Sequence, residues 1–208
     1  MVIRAVRASR TARNFIPDLL RMTGMQLNGQ TLSGTYAGRP ASVDFGLGLN
    51  VGKVVMATPG QRFESLEGRN TFFQTLHVKM RVPGAELPPM GIKEKVGILR
   101  TDQFLNDLIA GKKMELPEMK LDGIRMKRAR LYGQDEAFAR RLGTDAELER
   151  LLSDWYYADI RIGGDAVELV LDDNMVMPTF GGKRMSSPGY VVQALDICAR
   201  IAAIGSGG

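Results

Sequence analysis

The chain has 208 residues and a mass of 22.9 kDa, with 44% hydrophobic and 25% charged residues, which is the balance of a globular protein able to bury a core and not that of a disordered or fibrous one. A net charge of +5 and a pI near 9.5 favour contact with nucleic acid or an anionic membrane surface, while 7% aromatic residues argue against a stacking platform for single strands. One cysteine and one histidine exclude an internal disulfide and a Cys/His zinc site, and no apolar run approaches the eighteen or so residues of a membrane helix. The start, MVIRAVRASR, is basic but lacks the apolar stretch of a secretory signal. A lone cysteine is compatible with a reducing compartment, and the expected location is the cytoplasm, at the inner face of a membrane.

Residues 1–25 form a basic N-terminal helix by their spacing: Phe15, Ile16, Leu19 and Leu20 recur at helical intervals behind Arg4, Arg7, Arg10, Arg13 and Arg21. At 100° per residue a three-residue step drifts backwards by about 60°, so these arginines spiral around the helix axis. Thr31–Tyr36 and Ala41–Val51 flank Ala37-Gly38-Arg39-Pro40 and predict a hairpin.

Within the second arm lies DFGLGLNVGK, residues 44–53, which resembles a phosphate loop only superficially. Gly48 stands four residues before Gly52 where a Walker A loop requires five, and Val54 replaces the magnesium-binding hydroxyl. Val51 occupies the third glycine of the dinucleotide pattern, and Asp44-Phe45-Gly46 lacks every companion kinase motif. Strict alternation of Ala41, Val43, Phe45, Leu47, Leu49 and Val51 with small or polar residues instead predicts one long strand.

Phe72, Gln74, Leu76, Val78, Met80 and Val82 alternate with Thr71, Phe73, Thr75, His77, Lys79 and Arg81 in a third strand with one mostly apolar face, followed by a Pro-rich link from Pro83 to Pro89. A short helix is expected from Thr101 to Gly111, and a bulged strand from Ile124 to Tyr132. Gln134–Leu142 reads as a helix closed by Gly143, and Thr144 with Glu147 as a capping box opening the next, which turns Leu148, Leu151, Leu152 and Trp155 inward. Ala158–Ile162 and Ala166–Leu171 form a hairpin through Gly163-Gly164. A final helix starts at Ser187 as N-cap with Pro188 at its first position, and carries Val191, Leu195, Cys198 and Ala202 on one face. The fold class is therefore α+β: a mostly antiparallel sheet with helices packed on one face, as a single domain over 26–204 with a flexible tail at 205–208.

Candidate sites are few. His77 lies on the polar face of its strand, where no nucleophile can be assigned to it, and Cys198 lies on a core face, where a thiol behaves as a small hydrophobe. Asp172, Asp173 and Asn174 end a strand; they offer a weak acidic site for a metal or for hydrolase or transferase chemistry, but lack the further ligands of a calcium loop and are equally explained as turn residues. Two basic clusters stand out as anion or lipid contacts: Arg4, Arg7, Arg10 and Arg13, and then Arg125, Lys127, Arg128 and Arg130. The loop from Asn174 to Ser186, with Met175, Met177, Phe180 and Lys183-Arg184, is long enough to need either a binding or a packing role. No catalytic, metal or cofactor motif is complete, and no cofactor is expected.

Gly34-Thr35-Tyr36 with Gly38-Arg39, Leu131, Gly133 and Asp135 with Ala139 and Leu151-Leu152, and the Ile160–Leu171 hairpin before a final helix together resemble a broad group of bacterial proteins classed only as domains of unknown function. Some members carry membrane helices ahead of the domain. Met126 and Ala129 depart from the group by standing where aromatic residues are usual. The group has no established catalytic residues, so nothing mechanistic carries over from it; the function expected is that of a non-enzymatic binding module near a membrane, meeting an anionic membrane surface or a protein partner. The alternatives are the acid-based enzyme at Asp172 and Asp173 and, from net charge alone, a nucleic-acid-binding protein.

Overall fold

The computed structural model describes residues 16–29, 31–45, 75–94, 116–124, 126, 129–153, 158–172 and 188–207. A helix, α1, covers 16–23, and then come β1 (Gln26–Asn28), β2 (Thr31–Tyr36), β3 (Arg39–Phe45), β4 (Thr75–Arg81), β5 (Leu87–Glu94), β6 (Glu118–Met119) and β7 (Ala129–Gly133). Helices α2 (Glu136–Thr144) and α3 (Ala146–Ser153), the hairpin of β8 (Ala158–Gly164) and β9 (Ala166–Asp172), and α4 (Pro188–Gly205) complete the described elements. All nine strands join one sheet in the order β1-β2-β3-β4-β9-β8-β5-β7-β6, and every pairing is antiparallel. The class is α+β with the helices on one face.

Cross-strand register explains how this sheet holds its shape. Leu27, Leu32, Val43, Val78, Leu169, Ile160, Ile92, Leu131 and Met119 stand opposite one another in a single row from β1 to β6. The seven inner members are at most 1% exposed, and burying each such side chain contributes about 1.5–3 kcal/mol. Helix α4 lies over this face against β4 and β9, with α2 and α3 packed beside it. Its few polar residues each meet a different neighbour: Gln193 Nε2 donates to the Leu151 carbonyl at 2.9 Å, Asp196 accepts from the Tyr36 hydroxyl at 2.6 Å, and Arg200 holds Asp145.

The β2–β3 hairpin turns on Ala37 (φ +47) and Gly38 (φ +77), both left-handed, as a two-residue turn of type I′ requires. The turn is thus tighter than the four-residue one expected, and Arg39 and Pro40 already belong to β3. The alternation of β3 holds over Ala41–Asp44; positions 46–51 of that expected strand, positions 71–74 of the expected third strand, the expected helix at 101–111, and Trp155 lie outside the described residues.

Several expectations are corrected. Of the expected Pro-rich link, residues 83–86 do connect β4 to β5, but Leu87, Pro88 and Pro89 are the start of β5, an interior strand between β8 and β7. Prolines are tolerated there because Leu87 faces Gly164 and Met90 faces Ile162, so Pro88 and Pro89 together oppose Gly163 in a bulge where ladder hydrogen bonds are interrupted. The strand expected from Ile124 begins only at Ala129. Gly143 does not close α2 but sits inside it, buried: a Cβ there would lie 2.6 Å from Ile124 Cγ2. The N-cap of α3 is Asp145, whose carboxylate accepts the Leu148 N–H at 2.7 Å, whereas the Thr144 hydroxyl turns back to the Arg140 carbonyl. Helix α4 continues to Gly205, and Ser206 beyond it accepts a hydrogen bond from Arg39 at 3.0 Å.

Between β4 and β5 the chain must pass two strands, roughly 14 Å of sheet, which residues 82–86 accomplish at about 3.3 Å each. They cross the tip of the β8–β9 hairpin and are pinned to it. The Val82 N–H donates to the Asp165 carbonyl at 2.7 Å, and Arg81 Nη1 reaches both carboxylate oxygens of Asp165 at 2.6 Å.

Candidate functional site

The face of the sheet opposite the described helices follows from the same register, shifted by one residue. Its central row reads Gln26, Ser33, Ser42, Lys79, Glu168, Arg161, Gly91, Tyr132 and Glu118. Lys79 Nζ is 2.5 Å from Glu168 Oε1, and His77 Nε2 is 3.6 Å from Glu168 Oε2. The Lys79 hydrogen bond is the main reason the Glu168 carboxyl is held below the usual carboxylate range, against the opposing effect of its partial burial. His77 therefore sits on the polar face as its phase requires, half-buried, with its Nε2 shielded from solvent and no hydrogen-bond partner within reach. A second shielded and unpartnered atom, Asp159 Oδ1, lies two strands away across Val170.

Three arginines of this face are matched by carboxylates. Arg81 pairs with Asp165 at 2.6 Å, Arg130 with Glu118 at 3.3 Å, and Arg161 with Asp159 at 3.4 Å. The guanidinium of Arg81 holds the Asp165 carboxyl below its ordinary range. Arg130 is the one residue of the two basic clusters that is described, half-buried in β7, and it already shares its charge with Glu118. Arg4, Arg7, Arg10, Arg13, Arg125, Lys127 and Arg128 lie outside the described residues, as do Asp173 and the loop Asn174–Ser186. Asp172 ends β9 opposite Thr75. Among the described residues no group of three or more metal-ligating side chains forms, and no helix is long and apolar enough to cross a membrane.

Cys198 is fully buried on the core-facing side of α4, and burial pushes its thiol far above the ordinary value, the opposite of what a nucleophile requires. Tyr36 is likewise shifted upwards, by burial first and then by the Asp196 carboxylate that accepts its hydrogen bond. The ion pair of Arg200 with Asp145 fastens α4 to the α2–α3 junction; the Arg200 hydrogen bond lowers the Asp145 carboxyl. None of these contacts was assigned from sequence. The pairing of His77 and Lys79 with Glu168 had a signal, since both strands alternate with period two, but only the register shows which acid meets which base.

Of the 28 Lys and Arg of the chain, 12 lie among the described residues. Eight of the 12 described cations are in ion pairs.

No protein-family model matches the chain, and no curated protein matches it. Among solved structures, the crystal structure of the mycobacterial trehalose monomycolate transport factor A, TtfA, is similar at 7% sequence identity and a TM-score of 0.45, covering 95% of this chain and 93% of that one. A likeness at that level carries no argument about what this chain binds.

Proposed function

We propose that the protein is a non-enzymatic binding module that meets an anionic membrane surface through its basic N-terminal segment, at the cytoplasmic side, as the resemblance to bacterial domains with preceding membrane helices implies. The observation that supports this reading is the clustering of basic residues in two short stretches of sequence: residues 1–15 carry Arg4, Arg7, Arg10 and Arg13 with no Asp or Glu, and residues 125–130 carry Arg125, Lys127, Arg128 and Arg130 with none either. Basic residues near a negatively charged leaflet contribute about 1 kcal/mol each, an attraction that falls away within a Debye length and weakens as salt rises.

Co-sedimentation with phosphatidylserine-containing vesicles tests the proposal. The wild-type chain is expected to pellet at low salt and to dissociate as salt rises, and the variant with Arg4, Arg7, Arg10 and Arg13 all changed to Gln is expected to bind at least tenfold more weakly while melting like the wild type. Failure of the wild type to pellet, or equal pelleting of the variant, overturns it.

A further inference from the structure

The two edges of the sheet are not protected alike. At β6 the outermost strand has two residues, Glu118 and Met119, with Pro117 before them and Lys120 after. Brevity, charge and proline are the devices that keep an edge strand from recruiting another chain. At β1 the charge and the proline are missing, and none occurs anywhere between Arg21 and Arg39. Gln26, Leu27 and Asn28 are all exposed, Leu27 by 36% although it belongs to the apolar row that ends there.

The backbone of β1 shows what this edge offers. Asn28 and Thr31 are cross-strand partners with two residues between them, and so are Tyr36 and Arg39. In a two-residue hairpin the pair that closes the turn exchanges backbone hydrogen bonds, and bonded and non-bonded pairs then alternate along the ladder. Counted from the first turn, Asn28–Thr31 and Gln26–Ser33 are bonded pairs and Leu27–Leu32 is not. Counted from the second, Tyr36, Gly34 and Leu32 bond to β3, which leaves Ser33 and Thr31 to bond to β1. The two counts agree. The N–H and C=O of Leu27 therefore point outward, away from β2, and among the described residues no strand pairs with β1 on that side.

This edge is complementary to itself. When a second copy approaches antiparallel about a two-fold axis at Leu27, the two Leu27 residues exchange both of their backbone hydrogen bonds, and Gln26 of each copy stands opposite Asn28 of the other. The apolar row then runs from Leu32 through both Leu27 side chains to Leu32 of the second copy, and the amides of Gln26 and Asn28 meet on the polar face. No like charges are brought together, and a slip of one residue would set Leu27 against an amide.

We propose that the β1 edge joins two copies of this chain, antiparallel about Leu27, into one continuous sheet. Three residues on each side make a small contact, so the dimer is reversible and its population rises with protein concentration. The proposal is independent of the membrane-binding reading.

Sedimentation equilibrium over a wide range of protein concentration tests it, and the wild-type chain is expected to pass from monomer to dimer. Leu27→Lys sets two ammonium groups against each other at the axis and is expected to weaken association by at least about tenfold with an unchanged melting temperature. Two double variants test the register, at exposed positions that the monomer tolerates. Gln26→Lys with Asn28→Glu places Lys opposite Glu across the axis and is expected to dimerise at least as well as the wild type at low salt. Gln26→Lys with Asn28→Lys places like charges there and is expected to dimerise severalfold more weakly. A wild type that stays monomeric at every concentration, a folded Leu27→Lys that associates like the wild type, or two double variants that behave alike overturns the proposal.

Discussion

Strand β4 presents two surfaces that alternate residue by residue. Leu76, Val78 and Met80 are at most 1% exposed, while His77, Lys79 and Arg81 between them stand on the opposite face among carboxylates. The same alternation propagates through the register, so that an apolar row and a polar row, charged at its centre, lie back to back across nine strands. A slip of one residue in any pairing would exchange them, which is why the apolar row specifies the register so strongly. The charged row has another role. Its ion pairs sit near water, where such a pair is worth about 0–1 kcal/mol, so it leaves the sheet soluble on that face while adding little to its stability.

That contrast can be broken most directly at β9, where neighbouring residues face opposite ways. Leu169→Ala removes a fully buried member of the apolar row and is expected to cost about 2–5 kcal/mol, depending on how far α4 can settle into the space. Urea unfolding measures it, and a loss under 1 kcal/mol would show that the row is not the core. A second variant probes the helix layer. Asp145→Ala removes both the cap of α3 and the anchor of Arg200, and is expected to cost about 1–2 kcal/mol at neutral pH. The Asp145 carboxyl is lowered in the folded state, so its contribution is complete above the ordinary carboxylate range and lost as pH falls through its depressed folded value. The difference between wild type and variant should therefore shrink as pH falls below about 4, and a difference that grows there contradicts the assignment.

The smallest effect is expected next to the largest. Glu168→Gln, one residue from Leu169 but on the polar face, should change stability by less than about 1 kcal/mol and lose even that in 1 M salt. Its carboxyl is also lowered, chiefly by Lys79, so any stabilisation it gives is again present at neutral pH and absent in acid. A cost comparable to that of Leu169→Ala would mean that the His77, Lys79 and Glu168 group is a buried network and not a solvated one.

The parts of this protein that sequence alone determined are those governed by local periodicity. The alternation in β3, β4, β8 and β9, the inward leucines of α3 and the face of α4 that buries Cys198 follow from which positions of a repeat are apolar, because a side chain's direction is set by its own backbone. The basic segment at Arg4–Arg13 is legible for the same reason, as composition. Only the tertiary structure decided what depends on distant partners. Pro88 and Pro89 read as a link until Gly163 supplies the bulge that admits them to an interior strand. Gly143 reads as a helix stop until Ile124 is seen to occupy the space a Cβ would need, and Asp145 becomes a cap and an anchor only when Arg200, 55 residues later, reaches it. Likewise the exposure of Leu27 is no property of its own alternation, which matches that of buried Leu32; it arises because the sheet ends there, and an edge exists only once all the strands have found their places.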